Sequence, residues 1–344
     1  FCLLISVPAV AKEITGTITG AVTDQSGASL PGLTVTVRNV GTNATQTVVA
    51  DENGVYVASL LPAGRYEVSL ELTGFKRFVR SNIDLSVNDR LAVNVVLEPG
   101  DVSETITVTA STPQVKTESS EVSTLITATQ VEQMPLNGRN IIQLVAMQPG
   151  VSSTLPSTLT VGLGNLTNVF VNGNRASQNN WVIDGADNND AGSNLALINY
   201  VNVDTVQEVN ILRSNYSAEF GRNAGGQVNV VTKSGTNALR GSLFEFFRDD
   251  ALDASPFFGT LDVDGDGRRD ATPLDYHNFG GTIGGPLMRD RLFFFFGEEF
   301  RRIETMRGTG VNITRTPPAA QRSGDFSGLP AILDPLTGQP FPGN

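Results

Sequence analysis

The chain has 344 residues, enough for two or three domains that each bury a core of their own. Charged residues make up only 17% and the net charge is −11, with no Lys/Arg cluster to meet phosphates, so a nucleic-acid partner is excluded. The abundance of Gly, Thr, Val, Asn and Ser favours β-structure with many turns over a helical bundle.

Residues 1–11 are apolar, uncharged and too short to span a bilayer as a helix. They end in Ala9-Val10-Ala11, a small-x-small cleavage pattern, and polar sequence begins at Lys12. The segment reads as a signal-peptide remnant, the alternative being a buried first strand. Cys2, the single cysteine, falls inside it, so neither disulfides nor thiol chemistry is expected of the exported chain.

From Ile14 to Leu97, short β-prone runs alternate with turn signals. Leu33, Val35 and Val37 share one face of a strand by their spacing of two. Turns are expected at Asp24–Gly27, Asp51–Gly54 and Pro62–Arg65, and about seven strands suggest a small β-sandwich. Gly20, Val22, Asp24, Gly27, Pro31 and Gly32, then Asp51, Gly54 and Tyr56, then Leu61, Pro62, Gly64 and Tyr66, then Gly74 and Phe75, together resemble the carboxypeptidase regulatory-like domain. That resemblance implies a transthyretin-like (prealbumin-like) sandwich acting as a periplasmic packing or spacer domain, with glycan binding as a second reading.

Beyond Pro99-Gly100, the run Glu104, Thr105, Ile106, Thr107, Val108, Thr109, Ala110 is strongly β-prone and carries one charge, as suits a strand added to a sheet edge. Its composition resembles the TonB box, by which outer-membrane receptors engage TonB from the periplasm; any edge strand could share it.

Thr129 to Met147 holds two helical patterns split by Pro135–Gly138. Short strands are expected at Val169–Val171, Trp181–Ile183, Val209–Leu212 and Gln227–Thr232, with a helical turn at Val203–Val206. This mixture suggests a compact α+β domain. Phe170 to Arg175 (FVNGNR), Trp181 to Gly185 (WVIDG), Val206 to Arg213 (VQEVNILR), Asn215 to Gly221 (NYSAEFG) and Gly225 to Gly235 (GGQVNVVTKSG) resemble the plug of TonB-dependent outer-membrane receptors, in wording nearest the Oar-like type. Gly221, Gly225 and Gly226 are expected to allow close backbone approach or positive φ, and Asp184-Gly185 a hairpin turn. Arg175, Asn179 and Trp181 are candidates for ligand contact on plug loops, set against a role in specifying the fold. Asp187–Asp190 reads as a solvated, oxygen-rich loop rather than a metal site.

After Asn237, three segments fit strands of a transmembrane barrel: Leu239–Phe247, Tyr276–Leu287 and the aromatic run Arg291–Phe300. Between the first two, Asp262, Asp264, Asp266 and Asp270 with Gly267 match the start of a calcium loop, but its twelfth position is Pro273 instead of an acid. A structural calcium ion and a metal-free acidic turn both stay open. Residues 303–344 read as a long surface loop.

The expected organisation is a signal-peptide remnant (1–11), a carboxypeptidase regulatory-like β-sandwich (12–98), a linker with a TonB-box-like strand (99–122), a plug domain (123–236), and the start of a truncated transmembrane β-barrel with a surface loop (237–344). The expected fold class is mainly β, with an α+β plug. No nucleophile elbow, metal-hydrolase His pair or phosphate loop is present, and His277 is the sole histidine, so no enzyme is expected. The resemblance implies TonB as partner, a setting in outer-membrane lipid, and an unidentified ligand such as a carbohydrate or peptide. The competing function is adhesion or envelope structure without transport.

Overall fold

The computed structural model describes residues 15–103, 105–109, 120–154, 166–218, 220–255, 262, 267–305, 322–323, 333–335 and 337–340. The expected leader and most of the expected surface loop lie outside the described residues.

Nine strands build the first domain: β1 (Thr15–Asp24), β2 (Thr34–Asn39), β3 (Thr45–Val49), β4 (Val55–Pro62), β5 (Gly64–Glu71), β6 (Arg77–Leu85), β7 (Arg90–Ala92), β8 (Val95–Leu97) and β9 (Thr105–Thr109). One sheet has the order β4-β1-β7, with β8 also on β1; the other has the order β3-β2-β5-β6-β9. Alternation sends Ile18, Val22, Tyr56 and Ala58 from the first sheet, and Val35, Val37, Val68 and Leu70 from the second, into one shared core. The expected strand at Leu91–Leu97 is two: β7 and β8 both pair in parallel with β1, and between them Asn94 Oδ1 accepts from the Ala21 N–H at 2.9 Å.

Within the expected linker (99–122), the β-prone run joins a sheet. Thr105–Thr109 is the fifth strand of the second sheet, parallel to β6 and in register from Arg77↔Thr105 to Ser81↔Thr109. A β-prone run that emerges beside an unfilled sheet edge satisfies its backbone groups by joining it.

The second domain contains β10 (Val122–Thr127), α1 (Ala128–Gln133), α2 (Ile142–Ala146), β11 (Val151–Ser153), β12 (Val169–Val171), β13 (Asn180–Ile183), β14 (Ala186–Asp187), β15 (Val206–Ser214) and β16 (Gln227–Thr232). Its main sheet runs β10-β15-β16-β13-β14, and β11 pairs with β12. Asp184 (φ 46°) and Gly185 (φ 81°) form the two-residue turn between β13 and β14, both in the left-handed region that a type I′ hairpin requires. One face of the sheet (Trp181, Val209, Ile211, Val228 and Val230) packs with Leu144 and Val145 of α2 into a second core.

Three further strands, β17 (Arg240–Asp249), β18 (Leu274–Met288) and β19 (Leu292–Thr305), form a sheet in that order. Their outward positions are apolar: Leu243 is 92% exposed, and Phe279, Ile283, Leu287, Phe296 and Phe300 are exposed too. No helix among the described residues is long and apolar enough to cross a membrane.

Gly20 on β1 is a point of close approach within the first sheet, against Val93 and its register partner Tyr56 on β4. A Cβ there would lie 2.1 Å from the carbonyl oxygen of Val93, the same oxygen that accepts from the buried Tyr56 hydroxyl at 2.9 Å. Burial pushes the Tyr56 phenol well above its ordinary range, so it stays neutral and donating. Gly20→Ala is expected to destabilise this domain by about 1–3 kcal/mol through overpacking, and Tyr56→Phe by about 1 kcal/mol. Both effects are read as faster amide hydrogen exchange along β1.

Candidate functional site

The candidate site comprises the TonB-box-like strand on the edge of the sandwich and the attachment of the sandwich to the α+β sheet. β9 terminates its sheet, with β6 on one side and no further strand on the other among the described residues. Thr105, Thr107 and Val108 are exposed and Ile106 half-buried. Glu104 and Ala110 lie outside the described residues.

The α+β sheet buries both faces. Opposite its apolar core, Glu208 and Asn210 of β15, Gln227 and Asn229 of β16, and Asn180 of β13 are all at most 6% exposed. Buried amides of this kind must be bonded. Asn180 Nδ2 donates to Gln227 Oε1 at 3.1 Å, Gln227 Nε2 to Asn229 Oδ1 at 3.2 Å, and Asn189 Nδ2 to Asn180 Oδ1 at 2.5 Å.

On this face the sheet grips the sandwich. Glu208 Oε1 accepts from the Val87 N–H at 2.7 Å, and Asn210 Nδ2 donates to the Val87 carbonyl at 3.0 Å. Glu208 and Asn210 are two apart on β15 and therefore project from the same side. They hold both polar groups of Val87, two residues past the end of β6. The sequence reading missed both residues; the only signal was a pair of polar side chains alternating with Val209 and Ile211 in a strand otherwise fit for a core.

The expected ligand contacts fall unevenly. Asn179 is fully buried: its Nδ2 donates to the Val169 carbonyl at 2.7 Å and its Oδ1 accepts from the Gly226 N–H at 2.9 Å. Trp181 is in the apolar core and 3% exposed. Arg175 alone of the three is exposed, at the start of a short 3-10 turn. Gly225 and Gly226 do allow close approach, to Asn179 and Val171. Gly221 meets nothing within 4 Å, and the positive φ falls on the next residue, Arg222 (φ 74°).

The expected solvated loop at Asp187–Asp190 is a correction. Asn188 and Asn189 are each 3% exposed, and Asn188 exchanges bonds with Asn199 through its Nδ2 (2.9 Å) and Oδ1 (2.7 Å). Asp187 pairs with Arg222. The carboxylate of Asp190 accepts from the N–H groups of Gly192, Ser193, Leu195 and Ala196. Those bonds, foremost that from Ala196, hold its pKa well below the ordinary carboxylate range.

Toward the β17-β18-β19 sheet, Arg139 forms a largely buried ion pair with Asp204, and its guanidinium lies 4.8 Å from the centre of the Phe244 ring on β17. Burial raises the Asp204 carboxyl, against the opposing pull of Arg139 and Lys233. Gly297 of β19 faces Thr205, where a Cβ would come within 2.3 Å of its methyl. Of the calcium-loop carboxylates, Asp264 and Asp266 lie outside the described residues. Asp262 accepts from the Gly267 N–H at 3.0 Å.

Three family models match in succession: the carboxypeptidase regulatory-like domain at residues 17–98, the TonB-dependent receptor plug domain at 114–228, and an outer membrane beta barrel domain at 231–344. The chain is 31% identical over 306 residues to the TonB-dependent transporter Oar of Myxococcus xanthus, a match covering 85% of this chain and 27% of that protein. The chain thus spans about a quarter of the length of that curated relative. Among solved structures, the siderophore receptor PirA from Acinetobacter baumannii is 22% identical, with a TM-score of 0.39 over 53% of this chain and 24% of that one. The outer membrane transporter YddB from Escherichia coli is 19% identical, with a TM-score of 0.37 over 53% and 26%.

Glu208→Ala leaves the buried Val87 N–H without its acceptor and is expected to cost about 1–3 kcal/mol, while Glu208→Gln keeps an acceptor and most of the stability. Exchange at the Val87 amide measures both. A depressed carboxyl favours the folded loop only while charged, so the Asp190 contribution is in place above the ordinary Asp pKa of about 3.9 and is lost only as pH falls through the lower, folded value. Protection of the 190–196 amides is therefore expected to stay level from neutrality down to about pH 4, and Asp190→Asn to weaken it across that range.

Proposed function

Because the chain belongs to the TonB-dependent receptors of the outer membrane, in their Oar-like branch, we propose that the protein takes up a ligand across that membrane, with the plug gating the path and TonB supplying the work through Thr105–Thr109. The chain resides in the outer membrane with its amino-terminal domain in the periplasm. The observation that carries the proposal is the position of β9: it is the terminal strand of its sheet and the last strand before the plug begins at β10. Its described residues, T-I-T-V-T, contain no charge and no proline, the devices by which natural edges repel a further strand. Such an edge suits strand addition, where main-chain hydrogen bonds supply affinity.

The protein works without catalysis of its own. His277, its sole histidine, lies on β18 with Nε2 3.3 Å from Asp275 Oδ1. An unidentified ligand, for which carbohydrate and peptide are the candidate classes, would meet extracellular loops and exposed plug residues such as Arg175.

A full-length receptor carrying Val108→Cys is expected to form a disulfide adduct with a cysteine-bearing TonB in energised cells. Absence of that adduct in a correctly inserted receptor would count against transport and in favour of adhesion.

A further inference from the structure

β6 serves two partners that have nothing else in common. On one side it pairs antiparallel with β5, and from its face Ile83 and Leu85 enter the sandwich core with Phe78 packed against it. On the other it pairs in parallel with β9 over five register positions, and none of the described side chains of β9 is among the buried core residues. With Ile106 half-buried and Thr105, Thr107 and Val108 exposed, β9 is held chiefly by its ladder and can leave without opening the domain, since elements with little buried apolar surface are the first to detach. Two residues beyond its last position, β6 is fastened to the plug through Val87, Glu208 and Asn210.

Tension applied to β9 in its present seat is delivered to β6 and the sandwich. Tension reaches the plug at β10, the terminal strand of its sheet, only when β9 has left β6. The Val87 clamp keeps the sandwich in place while it does so.

We propose that the sandwich is a latch: it stores the TonB-engaging strand in parallel on β6, and TonB takes the strand by stripping it from β6 while the Val87 clamp holds the rest of the domain against the plug. This rests on the reading of Thr105–Thr109 as the TonB-engaging strand.

Val79 and Thr107 are register partners, and adjacent strands about 4.8 Å apart fall within the Cα separation that a disulfide spans. The test is a full-length receptor carrying Cys2→Ser, Val79→Cys and Thr107→Cys, with affinity for the carboxy-terminal domain of TonB measured before and after reduction. The oxidised form is expected to bind at least tenfold more weakly, with reduction restoring wild-type affinity. Equal affinity in both forms overturns the latch and means that TonB adds to β9 where it sits. Val108→Pro separates the two levels of the argument: loss of binding in that variant keeps the TonB-engaging reading whatever the disulfide shows, and wild-type binding overturns that reading and the latch together. As a measurement free of engineered cysteines, exchange at the β6 amides Arg77–Ser81 is expected to rise when TonB is added to the wild-type receptor. Unchanged or greater protection there overturns the proposal.

Discussion

The plug sheet has two buried faces of opposite chemistry, and this constraint governs the arrangement around it. The apolar face needs only close packing, which α2 and β12 supply. The other carries Glu208, Asn210, Asn180, Gln227 and Asn229, whose polar atoms cannot be dry without partners. Asn180, Gln227 and Asn229 bond along the sheet, while Glu208 and Asn210 of β15 take the backbone of Val87 from the sandwich. A demand internal to one domain thus sets where another is attached.

The same logic accounts for the tight end of the plug. Asn179 occupies the junction of β12, the turn at Ala176 and the entry to β16, and spends both ends of its amide on backbone. Its own carbonyl accepts from Asn194 and Asn223, each at 3.0 Å. The abundance of asparagine in this domain is explained by that economy: a short amide tolerates left-handed backbone, seen at Asn168, Asn172, Asn194 and Asn215, and bridges segments distant in sequence.

Much of this was legible in the sequence where pattern and local chemistry coincide. β12 and β16 lie where β-branched alternation put them, and Asp184-Gly185 turns as its residue types require. β6 was not distinguished because its period breaks: Phe78 is directed inward from one parity, Ile83 and Leu85 from the other, and the switch falls at Asn82, whose φ is 60°. The seat of β9 was out of reach for a different reason, since a β-prone run does not state which edge it joins. Nor could spacing reveal the grip on Val87, whose partners lie more than 120 positions away. The solvated reading of Asn188 and Asn189 failed because polarity was taken for exposure; a polar residue is buried readily once its bonds are met.

The order of the sandwich strands bears on how the chain first acquires its shape. β1 lies at the centre of its sheet, but its parallel partners β7 and β8 come from the far end of the domain. During export from the amino end, the first strand waits for some eighty residues of chain before its ladder can close, so this domain forms late and all at once. β9 emerges after that closure and docks onto a finished surface. A segment that arrives last and buries least is the natural one to give up first, so the history of assembly and the direction of work run along the same path in opposite senses.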